Sequence, residues 1–165
     1  MDTMPTSAPP LAREVASMLS HRDLRREDLE ALVEARGFRR IEDIHEELMF
    51  VTFYYISNAL MDHLVTEEEL TNTRFLKLLF KLKEGELYEF FPDVVKLIVD
   101  KQLSLVYEDG EVSKDESLHM ANIQTLFDLS YEQMDDLKLA FVKKAIEQGS
   151  DIEKLDTAHK DLMKE

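Results

Sequence analysis

Apolar positions along this chain recur mostly at spacings of three and four residues, the period of amphipathic helices. Leu11 to about Leu19 reads as a first helix. A second is predicted from Leu24 to Arg36, where Leu29, Leu32 and Val33 share an inward face and Gly37 supplies a stop. In "IEDIHEELMFVTFYYISNALMDHL", Ile41, Ile44, Leu48, Val51 and Tyr55 keep helical spacing, and Phe50, Tyr54 and Met61 add a second stripe. A helix so apolar around its circumference belongs at a buried centre. The run "MFVTFYYI" would by itself also suit a strand, but helical signals on both sides decide for a helix.

Helix starts are marked as clearly as helix faces. "TEEE", Thr66 to Glu69, has the form of a capping box. In it the hydroxyl accepts an orphan amide of the first turn, and the Glu carboxylate reaches back to the cap residue's own amide. The pattern recurs in "SKDE" from Ser113, "SYEQ" from Ser130 and "SDIE" from Ser150, which predicts four helix starts. The helix opened by Thr66 is expected to reach about Leu82. Pro92 suits the first turn or a kink of another, which carries Val94, Val95, Ile98 and Leu105.

Composition agrees with this pattern. A chain of 165 residues that is 44% hydrophobic fits one compact domain, and 4 Gly with 4 Pro leave little punctuation for many short strands. The expected architecture is all-α: a single multi-helix domain over residues 11–165 behind a loose tail of residues 1–10, "MDTMPTSAPP", which lacks the features of a secretory signal. The longest apolar stretch, Leu48 to Met61, has 14 residues, short of the ~20 a bilayer span needs. A cytoplasmic protein without membrane insertion is the expectation. With no cysteine, disulfides, thiolate metal sites and cysteine nucleophiles are excluded.

Charge narrows the partners. The formal net charge of -15 lies wholly in residues 41–165, because residues 1–40 hold seven Arg against seven Asp or Glu. So acidic a body repels phosphate backbones and anionic lipid, which argues against nucleic acid. The early arginines, in "AREV", "HRDLRRED" and "EARGFRR", read first as solvated helix surface with ion pairs. The alternative is an arginine-bearing arm docked on the acidic body of the same chain or of a second copy, which would make the protein a homo-oligomer.

The sequence also resembles itself at an offset of 47. Asp62, Val65, Glu69, Leu79, Phe80 and Leu82 match Asp109, Val112, Glu116, Leu126, Phe127 and Leu129, with Thr66 on Ser113. The repeat units, about 62–108 and 109–149, each read as an acidic turn, a capped helix ending in an apolar cluster, and a second helix packing back. Such paired hairpins would lie around the central apolar helix. Within the second unit, "DGEVSKDES" followed by "LFDLSYEQM" resembles the D-G-x-V/I-S-x-x-E and L-x-L-S-x-E segments of the TerB-like (tellurite-resistance protein B) family. The resemblance covers Tyr107 to Leu137, and more weakly Asp62 to Phe90, where His63 stands in place of Gly110. It implies an all-helical, non-enzymatic domain with a stress-response role, a protein partner, and acidic residues that bind a cation.

Three readings of Asp109 to Glu116 follow from the residues. Asp109 and Gly110 could close a hairpin between "SLVY" and "EVS", although the far arm is short. A divalent cation such as calcium could be held by hard oxygens from Asp109, Glu111 and Glu116, with Asp62 and Glu69 as counterparts in the first unit. An EF-hand is rejected, since its sixth and twelfth positions would be Lys114 and Met120 rather than Gly and Glu. In the third and favoured reading Gly110 ends one helix, Ser113 caps the next and Glu116 completes the box.

A metal enzyme or metal store is the alternative from another class. Glu42 and His45, Glu116 and His119, and Asp156 and His159 each place a carboxylate and a His on one helix face, as in di-iron bundles. Surface pairing explains them as well. No phosphate-cradling or nucleophile motif occurs. The aromatic cluster from Phe50 to Tyr55 reads as core, although an incompletely filled core could admit a small apolar ligand.

Overall fold

A computed structural model describes residues 4–20, 24–61, 65–151 and 154–155 of the chain. The fold is all-α, and among the described residues there is no strand. The helices are α1 Pro10–Ser20, α2 Arg26–Ala35, α3 His45–Ala59, α4 Glu67–Phe80, α5 Glu86–Phe90, α6 Pro92–Val106, α7 Lys114–Phe127 and α8 Tyr131–Glu147, with a 3₁₀ turn at Ile41–Ile44. None among the described residues is long and apolar enough to cross a membrane. The chain gathers into two compact units, one of Met1–Met61 with Thr66–Lys83, the other of Asp62–Val65 with Glu84–Glu165.

In the first unit α3 packs against α1 and α4. Leu29, Leu32 and Val33 of α2 are buried as their spacing predicts, and they join Ile41, Ile44, Leu48, Val51, Leu76 and Phe80 in one apolar cluster. The second stripe of α3 differs from expectation. Met49, Thr52, Ile56 and Ala59 are buried, Phe50 and Tyr54 are only half-buried, and Met61 is 73% exposed. Thr52 tolerates burial because its hydroxyl donates to the Leu48 carbonyl at 3.0 Å. "MFVTFYYI" is helical throughout. Residues 4–9, placed in the tail by composition, include a turn in which the Ala8 amide donates to the Pro5 carbonyl at 2.9 Å; Ala8 is buried and Met4 packs on the core.

The boundaries follow from local chemistry. α2 starts at Arg26 rather than Leu24, and the Arg25 amide donates to the Asp28 carboxylate at 2.9 Å. Asp43 accepts the Arg39 and Arg40 amides at 3.0 and 3.1 Å, tightening the chain into the 3₁₀ turn before α3. α4 stops at Phe80, two residues before the expected Leu82, because Lys81 takes the left-handed conformation at φ +57°. The Leu82 amide then donates back to the Lys77 carbonyl at 2.9 Å, a Schellman closure. Among the described residues the early arginines lie on the surface, with Arg36 on Glu14 at 2.6 Å and Arg26 on Glu30 at 2.8 Å; Arg22 lies outside them.

In the second unit α6 packs against α5, α7 and α8. Pro92 occupies the first turn of α6, where its missing amide costs no helical bond. The buried face of α6 is Val95, Val99, Gln102, Leu103 and Val106. Val94 and Leu105, named above among the apolar residues it carries, are 44% and 41% exposed. The reason is that α6 carries more apolar residues than one face can bury.

Candidate functional site

The acidic turn is a tied joint between α6 and α7. Tyr107, just past α6, is buried and its ring stacks on Phe141 with centroids 6.2 Å apart. The chain then reverses at Gly110, φ +78°, where a Cβ would run into Ser150 Oγ. Asp109 Oδ1 accepts the Glu111 amide at 3.0 Å. The Val112 amide donates to the Lys154 carbonyl at 3.0 Å, and the Lys154 ammonium pairs with the Glu111 carboxylate. The bond to Glu111 holds the Lys154 pKa above the ordinary lysine value. Glu116 accepts the Ser113 amide at 2.8 Å while its own amide donates to Ser113 Oγ at 3.2 Å, which is the predicted box. The hairpin does not form, because Ser104, Leu105 and Val106 belong to α6.

Glu69 has the same task at α4, accepting the Thr66 amide at 2.8 Å, and Ser130 caps α8 with Gln133. The fourth box, at Ser150, has Ile152 and Glu153 outside the described residues; its Lys154 amide closes a turn onto the Asp151 carbonyl at 2.9 Å. α4 and α7 are each 14 residues long, each opened by a box and each ended by a left-handed residue, Lys81 and Asp128.

Asp62 and His63 lie outside the described residues, as do Asp156 and His159. Among the described residues no group of three or more His, Asp or Glu side chains is arranged to hold a metal ion. Glu42 is instead held by Lys81 at 2.5 Å, a bond that keeps its carboxyl below the usual range. His119 is buried with Nε2 3.0 Å from Gln102 Oε1. Asp109, Glu111, Glu116 and Glu69 are thus occupied with amides and an ammonium.

Comparison with known proteins gives no matching family model, no matching curated protein and no matching solved structure. The functional reading rests on the geometry and on the two sequence segments that carry the resemblance.

One surface feature was missed by the sequence argument. Phe90 of α5 and Val94, Leu97 and Leu105 of α6 are 51%, 44%, 69% and 41% exposed. Within α6, spacings of three and eight residues keep the last three on one helix face, opposite the buried Val95, Val99 and Leu103. On that face Lys101 stands between Leu97 and Leu105, four residues from each; nearby in the chain Glu89, Asp93, Asp100 and Glu108 outnumber Lys96 and Lys101. The signal was in the sequence as two apolar stripes on one helix, which the reading by spacing did not separate.

Proposed function

We propose that the chain is a non-enzymatic binding domain whose partner is a protein, engaged through the outer face of α6. The observation that carries this reading is the exposed ridge of Val94, Leu97 and Leu105, since apolar side chains aligned on a helix face mark interaction sites. Charge complementarity selects the partner's chemistry: an amphipathic helix with an apolar ridge and basic flanks. A second copy of this chain would bring its own excess of acids to the contact, at a net -15 each. The resemblance of "DGEVSKDES" and "LFDLSYEQM" to TerB-like proteins supports an all-helical binding domain, and extends the proposal to a role in stress response.

The test places a photo-crosslinking residue at position 97 and measures binding of the purified captured protein to wild type and to Val94→Asp/Leu97→Asp. Both sites are exposed, so the variant is expected to fold. The reading expects a captured basic amphipathic segment, at least a tenfold loss of affinity in the variant, and weaker binding in high salt. Crosslinking to a second copy, or affinity unchanged by the two substitutions, overturns it.

A further inference from the structure

A separate feature of the first unit points to a small-molecule site. A cleft of about 340 Å³ opens between α1, α3 and α4, near the lower end of the range for ligand pockets. Leu24 and Leu76, both buried, and Phe75, half exposed, form apolar walls. At the polar end Asn72 Nδ2 donates to Tyr55 Oη at 3.0 Å, and Glu68 supplies a carboxylate at the rim. Burial raises the Tyr55 pKa above its ordinary value, against the bond from Asn72, so the phenol is neutral at pH 7. Among the described residues that line it, none is cationic.

We infer that this cleft binds an amphipathic organic cation, an apolar body carrying one ammonium. The leucines and Phe75 take the body. The ammonium faces the Glu68 carboxylate and the Asn72 amide carbonyl, beside the ring of Tyr55. Neutral analogues gain only the apolar contacts. Anionic ones meet Glu68 and the field of Glu67 and Glu69 beside it. The site shares no residue with the α6 face, so either can fail alone.

The experiment titrates the ¹⁵N-labelled full chain with 4-phenylbutylamine, 4-phenylbutanol and 4-phenylbutyrate, following the Asn72 side-chain amide and the Leu24 and Phe75 backbone amides. Saturable shifts of these signals are expected, with the amine binding at least fivefold more tightly than the carboxylate. Glu68→Gln should weaken the amine roughly two- to fivefold and leave the alcohol unchanged. Phe75→Ala should weaken amine and alcohol alike; should that variant fail to fold, Glu68→Gln at the exposed rim still decides. Equal affinity for all three probes, shifts centred elsewhere, or no shifts at 10 mM amine would each overturn the assignment.

Discussion

Gly110 offers the sharpest test of the joint between α6 and α7. Its φ of +78° is left-handed, and a Cβ there would overlap Ser150 Oγ while keeping ordinary contact with Ser150 Cβ at 3.4 Å. Gly110→Ala therefore adds two terms. The left-handed backbone costs a non-glycine residue ~1–2 kcal/mol, and turning the Ser150 hydroxyl off its rotamer to relieve the overlap adds ~0.5–1.5 kcal/mol. Gly149, φ +96°, has nothing within 4 Å of its added Cβ, so Gly149→Ala carries the backbone term alone in the same unit. Because the overlap is confined to a hydroxyl, Gly110→Ala/Ser150→Ala should fall back to about the backbone term. Urea and thermal unfolding followed by circular dichroism measure all four variants, Ser150→Ala included. At about 2–4 °C per kcal/mol for a chain of this size, Gly110→Ala should lower Tm by roughly 3–14 °C. If Gly110→Ala were no worse than Gly149→Ala, or if Ser150→Ala gave no rescue, the turn would not be seated on the segment after α8 and the argument would fail.

Three further outcomes are expected. Thr66→Ala, Ser113→Ala and Ser130→Ala should each lose ~1 kcal/mol in urea unfolding, with Ser113→Asp nearly neutral because Asp also caps. His119→Leu and Gln102→Leu should each cost ~1–3 kcal/mol by stranding a buried polar partner, and the double variant less than their sum; strict additivity would argue against the 3.0 Å contact between them. Calcium at millimolar concentration should leave Tm at the value of a control matched in ionic strength. A site filled at a hundred times its Kd would instead add ~2.7 kcal/mol, which would return Asp109 and Glu111 to the role of ligands.

Much of the local structure was legible in the residues. The boxes at Thr66, Ser113 and Ser130 open helices as read, since capping is chemistry within four consecutive residues and needs no tertiary partner. The stop at Gly37 is legible for the same reason, at positive φ just past the Arg36 cap of α2, whereas α6 already ends at Val106 and Gly110 only turns the chain four residues later. The inward triad of α2 was also fixed by spacing, because α2 has only one apolar stripe to bury. The end of α4 was not, because Lys81 in the left-handed region carries none of the glycine signal that marks such a stop.

By itself, then, the sequence determined the helical class, the capped starts and the excess of negative charge. Only the tertiary structure decided which stripe of α6 meets α7 and α8 and which remains at the surface, since Val94 and Val95 are equally apolar and differ only in the direction they face. It likewise gave Glu111 to Lys154 and Glu42 to Lys81, partners 43 and 39 residues away that no local pattern announces. The physical reason is range: capping and helical period act within a few residues of chain, whereas burial and ion pairing depend on which distant element arrives opposite.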